Sequence, residues 1–223
     1  VSMKTCALCE PPLYTDMQVA AYSIKGKDLR QCAGLMSAAF HDDPSIRYLL
    51  GGKDMGSEDW RYFYTVLKAI YNKCVMLSTD DKLNNLLILF PPQLKMVPTL
   101  GFFANGGTSL PRIFEKGLLK RTINYENNCK SVKSRFVTPE TWYCMCFVVT
   151  PEVQGQGWGS ILIKPLLEVL DSKSIPLYLE THKAVNTEIY EHLGFDKVDV
   201  SVIPGTNISQ YAMLRRPLSG LAY

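Results

Sequence analysis

The stretch Val148-Val149-Thr150-Pro151-Glu152-Val153-Gln154-Gly155-Gln156-Gly157-Trp158-Gly159-Ser160 decides how this chain is read. Before it, Trp142–Val149 is dense in aromatic and β-branched residues, the composition of a strand in the middle of a sheet. After it, Gly157–Ser172 reads as a helix, with Pro165 expected to remove one backbone hydrogen bond inside it. Between the two, three alternate glycines open backbone angles closed to other residues and remove Cβ atoms that would block a ligand. The N–H groups of such a turn, and of the first helical residues, have no partner within the helix. The helix dipole adds partial positive charge there, so the segment is suited to cradle a phosphate.

Two phosphate-binding patterns are excluded. No Gly-Lys-Ser/Thr occurs, which removes the P-loop. The dinucleotide pattern GxGxxG fails because Gly155 and Gly157 are followed by Gly159, with Ser160 where the third glycine belongs. The pattern that fits is Q-x-x-G-x-G, carried by Gln154, Gly157 and Gly159.

Outward from this core, Pro176–Thr181 reads as a strand, Val185–Leu193 as a short helix closed by Gly194, and Phe195–Ile203 and Ser209–Arg215 as two closing strands. Asn186 and Tyr190 lie four apart and share a helix face. Towards the N-terminus, Gln18–Ile24 reads as a strand. Lys27–Phe40 is a helix with Leu29, Cys32, Ala33, Met36 and Phe40 on one face, stopped at His41-Asp42-Asp43-Pro44. Asp59–Tyr71 is a second helix, and Cys74–Ser78 and Leu86–Phe90 form a hairpin. Pro98–Pro111 is Gly-rich and unassigned, and Arg112–Asn127 reads as a helix. Residues 1–16 read as a loose arm and 17–223 as a single domain. This order of elements predicts an α/β fold (α+β) with a mixed, mostly antiparallel central sheet flanked by helices.

Composition narrows the function. Of 223 residues, 47% are hydrophobic and 20% charged, which excludes a disordered chain. Net charge is 24 − 21 = +3, too little to demand nucleic acid or an anionic membrane. The stretch from Arg112 to Arg135 carries seven basic residues against Glu115 and Glu126, most simply a solvated helix face, though it could meet an anionic substrate. Seven cysteines, with Cys6-x-x-Cys9 the one metal-like pair, predict free thiols and no metal site. Free thiols suggest a reducing compartment. No apolar run reaches membrane-spanning length and the start lacks an apolar secretory core, so the expected location is cytoplasmic.

Gln154, Gly157 and Gly159, followed by Leu179-Glu180-Thr181, Asn186 and Tyr190-Glu191-x-Leu193-Gly194-Phe195, resemble the cofactor site of the GNAT N-acetyltransferase superfamily, and within it the puromycin N-acetyltransferase-like members. The resemblance covers the C-terminal third well and the middle barely. It implies a GNAT fold in which two central parallel strands, Trp142–Val149 and Pro176–Thr181, splay apart around acetyl-CoA. The backbone of Phe147, Val148 and Val149 would then pair with the pantetheine arm, and the amides of Gln154, Gly155, Gln156, Gly157, Trp158, Gly159 and Ser160 would hold the pyrophosphate. Asn186 would complete that site. Tyr190 would donate to the leaving thiolate. The strand before the turn carries no carboxylate where relatives place a base, so Glu180 is the first candidate, with His41 or a relayed water behind it. His182 and His192 receive no role, and Cys144 and Cys146 read as core thiols.

The implied activity is acetyl transfer to a primary amine of a small molecule, by direct attack in a ternary complex. Partners then reduce to that amine, with no nucleic acid or membrane, and a monomer or homodimer. Acetylation of a peptide N-terminus or lysine is the alternative within the class. A non-catalytic acyl-CoA-binding module and a nucleotide binder are the alternatives outside it.

Overall fold

A computed structural model describes residues 21–52, 59–92 and 117–218. The arm at 1–16 and the Gly-rich Pro98–Pro111 lie outside those residues. Seven strands form one sheet: β1 (Tyr22–Ser23), β2 (Val75–Ser78), β3 (Asn85–Phe90), β4 (Trp142–Val149), β5 (Leu177–Thr181), β6 (Asp196–Val202) and β7 (Ser209–Arg215), in the order β1-β2-β3-β4-β5-β7-β6. Each neighbouring pair is antiparallel except β4 with β5. The described helices are α1 (Leu29–Ala39), α2 (Pro44–Leu49), α3 (Trp60–Ile70), α4 (Leu118–Lys133), α5 (Trp158–Ser172) and α6 (Ala184–His192).

The sheet is covered on both faces, which is why β2 and β3, apolar but for Ser78 and Asn85 where they meet, show no alternation and are buried at every residue. On one face, α1 and α3 pack Cys32, Met36, Phe63 and Leu67 over Met76, Ile88, Phe90, Cys146 and Val148. On the other, α5 packs Leu162, Ile163, Leu166 and Leu170 over Leu77, Leu87, Leu89 and Cys144, with Tyr190 of α6 in the same cluster. The helix over Trp158–Ser172 runs through Pro165 as one element.

Two helices differ from the sequence reading. His41–Asp43 ends α1, as Pro44 dictates, but Pro44 also starts α2. Asp43 caps that helix, its Oδ1 accepting from the N–H groups of Ser45 (2.9 Å) and Ile46 (3.2 Å) and from the Ser45 hydroxyl (2.6 Å). Of the helix expected over Arg112–Asn127, residues 112–116 lie outside the described ones; the described helix follows Gly117, whose φ of +108° lies outside helical space, and continues to Lys133. Its basic residues are also not simply solvated. Arg121 Nε donates to the Leu49 carbonyl (3.0 Å), Lys133 is half-buried beside the Tyr143 ring (4.3 Å), and Arg135 lies 3.0 Å from Asp199.

Two features shape the sheet centre. Between β3 and β4 the register jumps from Ile88↔Cys146 to Leu89↔Cys144, so Met145 is an extra, bulged residue. The bulge reverses the alternation: Cys144 packs under α5, whereas Cys146 and Val148 pack under α1 and α3. Secondly, β4 pairs with β5 only at Trp142↔Leu177 and Tyr143↔Tyr178. Leu179, Glu180 and Thr181 stay paired with β7, so the two parallel strands part beyond Tyr143.

Arg215 of β7 ties the α5–α6 side to the sheet. Its guanidinium, 5% exposed, donates both terminal nitrogens to Asp171 (2.6 Å each) and its Nε to the Leu193 carbonyl (3.0 Å). Burial raises the Asp171 pKa, but hydrogen bonds from Arg215 and from the Leu218 N–H outweigh that and hold it below the ordinary range. Asp171→Asn leaves a buried cation without its counter-charge and is expected to cost about 3–5 kcal/mol at neutral pH. Because the folded-state pKa is depressed, the wild-type advantage is present above the unfolded carboxylate pKa and fades as pH falls through the folded one. Urea unfolding of both proteins across that range checks it; a pH-independent difference contradicts it.

Candidate functional site

The parted strands open onto a cavity of about 210 Å³. Residues of β4 from Tyr143 to Phe147 form one side, and Leu179, Glu180, Thr181 and His182 form the other. Asn186 and Tyr190 of α6 reach it across the gap, while Phe40, Tyr62 and Phe63 close it from α1 and α3. Beyond Tyr143 the backbone of β4 has no strand partner on its β5 side among the described residues.

At the end of β4, Pro151–Val153 makes one 3-10 turn and the glycine segment follows. Gly155 (φ +76°) and Gly157 (φ +85°) both take left-handed backbone conformations, and an added Cβ at either would meet nothing within 4 Å. Gly159 answers a different constraint. Its helix lies so close to β4 that a Cβ there would stand 3.2 Å from Phe147 Cζ and 3.5 Å from Val149 Cγ2. Gln154 braces the turn, its Nε2 donating to the Val149 carbonyl (3.0 Å), and Gln156 Nε2 donates to the Glu152 carbonyl (3.3 Å). The Trp158 carbonyl accepts from Asn85 Nδ2 (3.0 Å), which pins the start of α5 to β3. The backbone N–H groups of Gly155, Gly157, Trp158, Gly159 and Ser160 make no hydrogen bond to the described residues. Several amides thus converge on an exposed surface at a helix N-terminus, with no Cβ above the turn. That arrangement fits a diphosphate.

Tyr190 is buried on the α5 side, edge-on to Phe195 with ring centroids 5.6 Å apart. Burial pushes its phenol well above the ordinary value, and nearby Cys144 and Cys146 add to the rise, so it stays protonated. Asn186, one turn earlier, donates from Nδ2 to Thr181 Oγ1 (3.1 Å). Glu180 lies across the gap with Oε1 buried and without a hydrogen-bond partner. Burial lifts its carboxyl to about 7, against the opposing pull of the Lys133 ammonium and the Tyr143 and Tyr178 phenols. It is therefore poised to exchange a proton near neutrality.

The structure brings Glu180, Asn186, Tyr190 and Phe147 to one cavity. Val148 turns its side chain into the α1–α3 core, leaving only its backbone towards the gap. His41 is not brought there: its side chain is 68% exposed, with Nδ1 against the Ala38 carbonyl. Trp142 packs under α5, whereas Tyr143 and Phe147 line the cavity. His182, to which the sequence lent no role, does line it. That side chain is nine-tenths buried, its Nε2 lacks a partner, and burial lowers its pKa despite the pull of Asp43. His182 was legible only as the second residue after Glu180 on the same strand face. Cys144 is buried and its thiol pushed up to about 12, which keeps it un-ionised. Among the described residues no three His, Cys, Asp or Glu side chains are grouped to hold a metal, and no helix is long and apolar enough to cross a membrane.

Residues 122–195, spanning α4 to the end of α6, match the model of the Acetyltransferase (GNAT) family. An uncharacterised N-acetyltransferase of Schizosaccharomyces pombe is 26% identical over 187 residues, covering 79% of this chain and 74% of that protein. Among solved structures, a histone acetyltransferase HPA2 and related acetyltransferase from Corynebacterium glutamicum superimposes with a TM-score of 0.61 at 18% identity, over 90% of this chain and 97% of that one. The Drosophila melanogaster polyamine N-acetyltransferase gives 0.55 at 10% identity, over 88% and 98%. These two structures share the fold, and the matched segment contains the parted strands, the glycine turn and Tyr190. Over residues 122–195, the segment that holds the candidate site, the chain is similar to the GNAT acetyltransferase family, and these comparisons identify it as an N-acetyltransferase.

Proposed function

We propose that this enzyme transfers an acetyl group from acetyl-CoA to a primary amine of a small molecule by direct attack. The observation that carries the reading is the cavity between β4 and β5, lined by Glu180 and Tyr190, on a strand that runs on into a glycine turn with open amides. The polyamine N-acetyltransferase from Drosophila, similar in fold, is named for a small amine acceptor, which supports the same substrate class here.

In this reading the N–H groups of Gly155, Gly157, Trp158, Gly159 and Ser160 hold the diphosphate, those of Gln154 and Gln156 being taken by the Pro151 and Val153 carbonyls (3.3 Å each), and the unpaired side of β4 at Phe147, Val148 and Val149 receives the pantetheine arm as an added strand. The thioester carbonyl then lies against backbone N–H donors of β4, which stabilise negative charge as it develops. Glu180, ionised above its pKa, accepts the proton of the incoming ammonium so that the neutral amine attacks the carbonyl carbon. The C–S bond breaks as the C–N bond forms, the Tyr190 hydroxyl donates a hydrogen bond to the departing thiolate, and the remaining extra proton on the new amide nitrogen passes to that sulfur, so coenzyme A leaves as the thiol. A phenol with a raised pKa supports a thiolate without surrendering its proton first. No acetyl-cysteine intermediate is needed, and the un-ionised thiol of Cys144 offers no nucleophile.

Three outcomes follow, each read by thiol release from acetyl-CoA against an amine panel. Tyr190→Phe lowers kcat about 100-fold with little change in KM for acetyl-CoA; an unchanged kcat contradicts the role. Glu180→Gln removes the acid limb centred near 7 from the pH dependence of kcat/KM, while the limb belonging to the acceptor's own amine persists. Survival of the limb near 7 contradicts the assignment. Gly157→Val forces a β-branched residue into positive φ and fills the cradle. Losing two charge-assisted hydrogen bonds at ~1.5 kcal/mol each weakens acetyl-CoA binding by about 100-fold. Calorimetry with unchanged far-UV circular dichroism reads it, and normal affinity in a folded variant contradicts the cradle.

A further inference from the structure

On α4, Leu119, Thr122, Ile123 and Glu126 recur three and four residues apart and present one face to the cavity. The facing walls are aromatic and apolar, with Phe40, Tyr62 and Phe63 opposite. Charge there is sparse and mostly accounted for. Asp43 caps α2 with three hydrogen bonds to one oxygen. Glu180 is the proposed base and feels the opposing charge of the Lys133 ammonium, and burial disfavours the charged form of His182. Glu126 differs. It is half-buried in the cavity wall, burial raises its pKa, and no ion pair or hydrogen bond joins it to another described residue. A carboxylate withdrawn from water without a partner carries an uncompensated desolvation cost. A second, independent vacancy lies on the same cavity: the partnerless Nε2 of His182, nine-tenths buried. Two unmet polar groups in one aromatic-walled cavity point to a ligand with polarity at more than its reacting end.

Resting on the acetyl-transfer reading above, we propose that the acceptor carries a second cationic group, an ammonium or guanidinium, and that Glu126 holds it while the reacting amine lies at Glu180. Both carboxylates line the one cavity, so an acceptor with a few methylenes between two basic nitrogens can meet both. The apolar walls then enclose the methylenes, and His182 Nε2 adds a polar contact without a competing charge.

The test compares 1,4-diaminobutane with n-butylamine, equal in chain length, as acceptors for the whole chain with acetyl-CoA, reading thiol release. The diamine is expected to show a kcat/KM about tenfold or more above the monoamine, the worth of one charge-assisted contact. Glu126→Gln is expected to reduce that ratio towards unity, acting on the diamine far more than on the monoamine. Equal kcat/KM for the two amines in the wild type overturns the inference while leaving acetyl transfer standing. So does a Glu126→Gln variant that lowers both alike. No thiol release with any amine overturns the acetyl-transfer reading, and this inference with it.

Discussion

The parallel pairing of β4 with β5 holds at two residue pairs and then fails. That short contact is the constraint on which the rest depends. Trp142 and Tyr143 are held in register with Leu177 and Tyr178, so the sheet is continuous at its base. Beyond them, β5 is committed to β7 and β4 to β3, and neither can turn back to close the gap. The Met145 bulge adds to the divergence and sets Cys146 and Val148 into the core on one face while Phe147 supports α5 on the other. A backbone edge left unpaired in the middle of a sheet is costly unless a ligand or solvent satisfies it. The fold therefore contains a slot suited to an extended arm with alternating amide donors and acceptors.

Around this slot the two faces of the sheet are chemically unlike. The α5 side is apolar and tightly packed, clamped at its rim by Arg215 and Asp171, with the Tyr190 hydroxyl towards the gap. The α4 side gathers buried polar groups without partners: Tyr178 OH, Glu180 Oε1, His182 Nε2 and Gln210 Nε2. Such groups are few in well-packed proteins and concentrate where chemistry or ligands need them. Low dielectric on that side lifts the Glu180 pKa to about 7, and the same burial keeps Tyr190 protonated. One physical effect thus supplies a base that ionises near neutrality and a donor that does not.

Much of this was legible in the residues, and the gaps have physical causes. Gly155 and Gly157 announce themselves because positive φ selects glycine, and Gly159 because α5 lies against Phe147. Strand β4 matched the Trp142–Val149 reading residue for residue, since an aromatic, β-branched run bounded by Pro151 has few other interpretations. Glu180 was readable as a carboxylate at the end of β5, but its raised pKa required knowing that α4 covers it. The α4 wall stayed hidden. Its apolar and acidic residues sit among lysines and arginines, a pattern shared with any solvated helix, and only tertiary contact shows Glu126 facing the cavity. His182 and His41 exchanged importance for the same reason: burial of a loop or strand-end histidine depends on what packs above it, which local sequence does not carry.

The central claim, that the open amides of Gly155, Gly157, Trp158, Gly159 and Ser160 and the unpaired side of β4 receive the diphosphate and the arm of acetyl-CoA, is tested most directly by amide chemical shifts of the isotopically labelled chain during titration with coenzyme A. The account predicts the largest shifts at Gly155, Gly157, Gly159 and Ser160 and along β4 from Met145 to Val149. Saturable binding that leaves those amides unmoved while shifting others contradicts it.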